Sequence, residues 1–129
     1  EILYDEGKLA LVAVGSMVRT ALEVREMFKE LGYSCTIING RFVKPIDEEM
    51  LDYLAKDHQL VVTMEENVRS GGFGEKVMEY YNDIHADVHV MQVALPDDYI
   101  EHGNVDLLKE EACIDAKSVF KMIISQHLQ

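Results

Sequence analysis

Along this chain, unbroken apolar runs alternate with stretches in which apolar residues recur every three or four positions. Leu9-Ala10-Leu11-Val12-Ala13-Val14 contains no polar residue and stops at Gly15-Ser16. A strand buried on both faces has this composition, because neither face meets water. Met17, Ala21, Val24, Phe28 and Leu31 follow at steps of four and three, with Arg19, Glu23, Glu26 and Glu30 between them. That spacing predicts an amphipathic helix, with Ser16 as its N-cap and Gly32 as its stop.

The alternation then repeats. Ser34-Cys35-Thr36-Ile37-Ile38 is a short β-rich run closed by Asn39-Gly40, and a helix is predicted from about Asp47, after Pro45, with Met50, Leu51 and Leu54 inside. Gln59-Leu60-Val61-Val62-Thr63-Met64 is another buried strand, expected to end at Glu65-Glu66-Asn67. Gly71-Gly72-Phe73-Gly74 opens a helix carrying Val77, Tyr80 and Tyr81. Val88-His89-Val90-Met91-Gln92-Val93 alternates more, as a strand nearer an edge does. A last helix starts at Asp115, with Ile114 and Val119 placed for a hydrophobic staple. Strand–helix order with short links predicts parallel strands joined by right-handed crossovers, a three-layer α/β/α sandwich. With no linker, repeat or low-complexity tract, residues 1–129 read as a single domain.

Composition narrows the function classes. Twelve Lys and Arg against 24 Asp and Glu give a net charge of -12, which repels nucleic-acid backbones and anionic membranes. Cys35 and Cys113 form no C-x-x-C pair, consistent with a reducing cytoplasmic setting. The chain begins at Glu1 and passes at once into apolar Ile2-Leu3-Tyr4, an opening expected of a piece cut from something longer.

Ligands of open parallel sheets meet the carboxyl ends of the strands, where strand order reverses. Gly15-Ser16 lies at such an end, and its backbone N–H groups could hold an anion. A tight turn with a Ser cap is the plainer account, since neither G-x-G-x-x-G nor G-x-x-x-x-G-K-[ST] is present. Glu65, Glu66 and Asn67, followed by Gly71, Gly72 and Gly74, form a second candidate. Paired carboxylates there could do acid–base work, and the glycines allow close approach of a ligand or another polypeptide. The alternative is that the carboxylates cap loop N–H groups and the glycines fit the loop to its neighbours. A third candidate is the segment from Leu95 to Asn104, which holds Pro96, Asp97, Tyr99, His102 and Gly103. Pro96 and Gly103 predict a defined, docked path, and His102 beside Glu101 is a possible proton carrier or an ordinary surface histidine. The five histidines show no metal-ligand spacing, and no G-x-S-x-G elbow makes Ser16 a nucleophile. No complete active site assembles from this chain.

Three stretches carry a resemblance: Arg41-Phe42-Val43-Lys44-Pro45-Ile46-Asp47, Glu65-Glu66-Asn67 with Gly71-Gly72-Phe73-Gly74, and Leu95-Pro96-Asp97-Asp98-Tyr99-Ile100-Glu101-His102-Gly103. Together they resemble the C-terminal domain of the 1-deoxy-D-xylulose-5-phosphate synthases, within the transketolase superfamily. The first two motifs are shared with transketolases and 2-oxo acid dehydrogenase beta subunits, and the third points to the synthases. Gly40, Asp98 and Tyr99 depart from the family pattern. The resemblance implies a five-stranded, mostly parallel sheet in the order 1-3-2-4-5, with Ile2-Leu3-Tyr4 as an antiparallel first strand. Gly15-Ser16 and Glu65-Glu66-Asn67 would then face one crevice. It also implies a cytoplasmic, homodimeric transferase that condenses pyruvate with glyceraldehyde 3-phosphate, supporting isoprenoid and thiamine biosynthesis. Thiamine diphosphate and Mg2+ would sit on other domains, leaving no catalytic, cofactor or metal residue here. The implied partners are the enzyme's other domains and its dimer mate. Alternatives are a regulatory small-anion-binding module, the C-terminal domain of another transketolase or 2-oxo acid dehydrogenase beta-type enzyme, and a stand-alone α/β binding protein.

Overall fold

The structure is a computed structural model and describes residues 2–4, 8–40, 47–68, 72–95 and 114–127. Its elements run β1 (Ile2–Tyr4), β2 (Leu9–Ala13), α1 (Met17–Glu30), β3 (Cys35–Asn39), α2 (Glu48–Asp57), β4 (Leu60–Val68), α3 (Phe73–Asp83), β5 (His89–Leu95) and α4 (Ala116–His127). The sheet has the order β1-β3-β2-β4-β5, with β1 antiparallel to β3 and the other pairs parallel. This is the expected architecture. β2 is central and buried along its whole length, because both faces are covered by helices.

Alternate residues of the strands feed two cores. Leu9, Leu11 and Ala13 join Ile37, Val62, Met64 and Val93 beneath α1 and α4. Ala10 and Val12 join Ile38, Val61, Leu51, Leu54, Phe73, Val77 and Tyr81 beneath α2 and α3. The first layer closes through apolar contact, with the Phe28 and Phe120 rings 4.7 Å apart. Polar ties reinforce the second. Tyr81 donates to the Leu51 carbonyl at 2.7 Å, and Tyr80 donates to Asp52 Oδ1 at 2.5 Å. His58, only 4% exposed, joins the end of α2 to β3. Its Nδ1–H donates to the Leu54 carbonyl at 3.0 Å, and in the neutral ring Nε2 accepts from the Thr36 hydroxyl at 2.8 Å.

Local chemistry sets most helix ends. The Asp47 carboxylate accepts from Met50 N–H at 3.1 Å and caps α2, while Asp115 accepts from Ser118 N–H at 3.3 Å and caps α4. Ile114 and Val119 are buried in one core, as a staple requires. At the end of α1, Gly32 has φ +85° and donates to Lys29, while Tyr33 donates to Phe28. Those paired bonds satisfy otherwise orphaned carbonyls. The end of α3 repeats the arrangement, with His85 N–H bonded to Asn82 and Ala86 N–H to Tyr81. Here the left-handed position, at φ +55°, falls to a histidine.

One expectation fails at the first strand-to-helix turn. Ser16 stands at the N-cap position of α1, yet its φ -65° and ψ -16° are helical and its side chain makes no capping bond. A capping hydroxyl needs the extended backbone that turns it toward the helix. β4 runs through Glu65, Glu66 and Asn67, where its end was expected, and stops one residue later at Val68. Its pairing with β5 is irregular between Met64 and Val68, so the extra residues re-aim the strand without ending it. Among the described residues, no helix is long and apolar enough to cross a membrane.

Two measurements check this account. His85→Gly relieves the left-handed strain and is expected to stabilise the fold by about 0.5–1 kcal/mol in denaturant unfolding, after Gly's greater unfolded-state freedom is allowed for. In a phenolate absorbance titration, Tyr80 is expected to titrate at about 12, chiefly because it donates to the Asp52 carboxylate. Tyr81 is also raised, chiefly by burial. Both protons are held more tightly in the folded state, so the stabilisation is whole below pH 10, the ordinary value; the Tyr80 share is lost as pH climbs through about 12, and the Tyr81 share at higher pH still. Asp52→Asn is expected to bring Tyr80 back toward 10.

Candidate functional site

The two sequence-selected strand ends are neighbours. β2 and β4 run in register through Ala13 and Met64, and Val14 N–H continues the ladder by donating to the Met64 carbonyl at 2.9 Å. Gly40 N–H donates to Ala13 at 2.8 Å on the other flank. Gly15-Ser16 therefore emerges between the ends of β3 and β4, at the point where strand order reverses. Gly15 has φ +61° and open space where a Cβ would stand, so its conformation, and no close approach, favours glycine. The opening N–H groups of α1 turn back on their own chain. Met17 donates to Val14 and Val18 to Gly15, each at 3.2 Å.

Glu65 is the centre of the second strand end, and only 1% of its surface is exposed. Oε1 accepts from Phe73 N–H at 3.0 Å and Oε2 accepts from Gly74 N–H at 2.7 Å. Those are the first two residues of α3, whose N-cap, Gly72, has no side chain to do this work. The carboxylate of the preceding strand thus caps the helix from outside. Its negative charge meets the partial positive charge of the helix end, and each oxygen gains a charge-assisted bond. Without such partners, burying a carboxylate would be strongly unfavourable.

Glycine at position 74 makes the contact possible. A Cβ there would collide with the Thr63 hydroxyl and lie 3.1 Å from Gln92 Cγ. Lacking one, α3 sits low enough on β4 and β5 for its N–H groups to reach Glu65. Gly74 is buried within this domain, so its bareness needs no external ligand. Gly72 is half-buried and extended, and its carbonyl accepts from Lys76 N–H at 3.3 Å. Glu66 is half-buried, and Glu66 and Asn67 both belong to β4. Gly71, Pro96, Asp97, Tyr99, His102 and Gly103 lie outside the described residues, as does Cys113. Cys35 is buried and forms no disulfide among the described residues.

The geometry fits anchoring better than proton transfer. Both Glu65 oxygens are committed acceptors, and water has almost no access. Among the described residues, no group of three or more His, Cys, Asp or Glu side chains could hold a metal ion. The sequence reading named Glu65, Gly72 and Gly74 but not Thr63 or Gln92, which are paired across β4 and β5 and complete the seat of α3. Polar residues within two otherwise apolar runs were the available signal.

Glu65→Gln keeps one acceptor but turns an amide NH2 toward the other N–H. It is expected to cost about 2–3 kcal/mol in equilibrium unfolding. Gly74→Ala is expected to cost about 1–3 kcal/mol by forcing α3 off the sheet.

Comparison with known proteins places this arrangement. The pattern of the family described as "Transketolase, C-terminal domain" matches residues 1–119. A 1-deoxy-D-xylulose-5-phosphate synthase of Lachnoclostridium phytofermentans is 45% identical over 128 residues, covering 98% of this chain and 20% of that protein. The synthase of Clostridium tetani is 37% identical over 124 residues, covering 96% and 20%. The chain thus spans a fifth of the length of these curated relatives. Among solved structures, a split gene transketolase, described as an inactive beta4 tetramer, superposes with a TM-score of 0.86 at 29% identity. The match covers 97% of this chain and 41% of that one. A Pichia stipitis transketolase superposes with a TM-score of 0.69 at 15% identity, covering 96% and 17%, and shares the fold.

Proposed function

The chain belongs to the transketolase C-terminal domain family, and on that footing we propose that it is the C-terminal domain of a 1-deoxy-D-xylulose-5-phosphate synthase that serves assembly and not chemistry. The observation that carries this reading is near-complete coverage of the chain by relatives of that name, 45% identical in the first case, of which it spans only 20%. The whole enzyme would join pyruvate to glyceraldehyde 3-phosphate with loss of CO2. Thiamine diphosphate supplies the acyl-anion chemistry in such an enzyme.

The described residues of this chain do not fit that cofactor. The first-turn N–H groups of α3, the obvious cradle for a phosphate, are taken by the buried Glu65 carboxylate. A diphosphate brought there would meet like charge in a poorly solvated place. The cofactor and Mg2+ then belong to the enzyme's other domains, in the cytoplasm. This domain's part is to present a rigid edge to those domains and to a dimer mate. Gly15, Ser16, Glu66, Asn67 and Gly72 border that edge, and Gly71 and the segment holding Pro96, Asp97, Tyr99, His102 and Gly103, outside the described residues, are proposed as further docking elements. The split gene transketolase described as an inactive beta4 tetramer offers a parallel, since it is an assembled piece without activity.

The test compares the full-length enzyme with this chain. Supplied with thiamine diphosphate and Mg2+, the full-length protein is expected to convert pyruvate and glyceraldehyde 3-phosphate to 1-deoxy-D-xylulose 5-phosphate and CO2. The 129-residue chain is expected to convert none. Turnover by the chain alone, or tight Mg2+-dependent cofactor binding in calorimetry, would overturn the assembly reading. Ketol transfer between sugar phosphates by the full-length protein, without the synthase reaction, would assign it to another branch of the family.

A further inference from the structure

Among the described residues, the large apolar side chains left exposed are Leu31, Tyr33 and Ile84. Leu31 and Tyr33 share the turn that ends α1, and backbone geometry sets them there. Their N–H groups both donate to the Phe28 carbonyl, at 3.0 and 2.9 Å, and Gly32 between them has φ +85°. Tyr33 lies edge-on to the buried Phe28 ring at 6.3 Å, and the half-buried Phe120 of α4 meets the same ring at 4.7 Å. Two helices thus share one row of rings, flanked along the chain by half-buried Met27 and exposed Leu31. Apolar residues scattered singly need no explanation, but a joined patch marks an interaction surface. The turn leads into β3, so the patch lies at the amino ends of the strands, opposite the carboxyl edge.

The charge of this face is out of character for the chain. The net charge is -12, and α2 and α3 carry an acidic excess. α4 instead holds Lys117 and Lys121, both exposed, and no carboxylate. Those lysines flank Phe120 on the helix, and exposed Lys29 and Glu30 adjoin Leu31. An aromatic patch with a mainly cationic rim suits a polypeptide that brings carboxylates to the contact. On the assembly reading, on which this inference rests, most of the enzyme's polypeptide lies outside this chain, which covers 20% of the length of its relative. Polypeptide joined to the domain is present at an effective concentration that a free partner rarely matches. We propose that the join of α1 and α4 is a second docking surface, taken in the full-length enzyme by a carboxylate-bearing segment of the enzyme's remaining polypeptide. The domain is then held from both ends of its strands.

The test is thiol alkylation of two variants of the full-length enzyme, Leu31→Cys and Ile84→Cys, read by peptide mass spectrometry. Each rate is divided by that of the same variant unfolded in urea, which removes differences in intrinsic reactivity. Both positions are exposed in this domain. Position 84 follows α3, on the other layer, and serves as the reference. The thiol at position 31 is expected to react on the order of tenfold more slowly than the one at position 84, as a covered site does. Adding Lys117→Glu and Lys121→Glu is expected to bring position 31 toward the reference rate. Equal rates at the two positions, fast or slow, would overturn the proposal. So would protection of position 31 that the charge reversal leaves unchanged. Protection lost when the enzyme is diluted to single chains would assign the surface to a second copy and overturn it too. Failure of the assembly reading shows separately, in the turnover of the chain alone. An open position 31 in an enzyme that passes that turnover test would sink this inference and leave the assembly reading standing.

Discussion

A buried carboxylate on the first two N–H groups of a helix is the constraint around which this domain is arranged. Glu65 has almost no contact with water, so its charge is tolerable only while both oxygens are bonded. That condition fixes the height and direction of α3 over β4 and β5. It requires a residue without Cβ at position 74, because Thr63 and Gln92 occupy the space above their strands. It also leaves the N-cap at Gly72 without a capping side chain, since the cap comes from the strand. Irregular pairing of β4 with β5 beyond Met64 belongs to the same arrangement. The ladder gives way at the residue that must turn toward the helix.

The two layers meet the sheet by different means. Under α1 and α4 the core is chiefly apolar, with Met17, Val24, Phe28, Val119 and Ile123 in one cluster with Leu11, Ile37 and Val62, and Thr20 and Arg25 are the polar residues that α1 buries. Under α2 and α3, apolar packing is supplemented by bonds of fixed geometry: Glu65 to α3, Tyr81 to the Leu51 carbonyl, and His58 between Thr36 and Leu54. Each would leave an unsatisfied group if its element moved, and the cost of that loss exceeds the net worth of the bond.

This bears on how the family's fold is used here. Open parallel sheets hold ligands where strand order reverses, and in this chain that place lies between Gly15 and Glu65. Both helix starts beside it are internally satisfied, α1 by the carbonyls of its own turn and α3 by Glu65. On the assembly reading proposed above, what remains at the carboxyl edge is surface for other polypeptide. The chain spans a fifth of the length of its relatives.

Much of this is written locally in the chain. Apolar runs and three-to-four spacing determine which segments are strands and which are helices, because burial follows the period of each backbone. Asp47, Asp115 and Gly32 mark helix ends through groups only a few residues away. The sheet order entered through resemblance to a family, and the pairings bear it out. The sequence also marked Glu65, Gly72 and Gly74 as unusual, but it left open whether the carboxylate served a ligand or the chain. Tertiary structure decided that, since its partners lie eight and nine residues onward across a turn. Ser16 shows the reverse case, a residue of capping type whose backbone does not place it to cap. His58 finds Thr36 across 22 residues, and a left-handed turn falls on His85 with no glycine to announce it. Residue type fixes what a group can bond, whereas only the packed fold fixes what stands within reach.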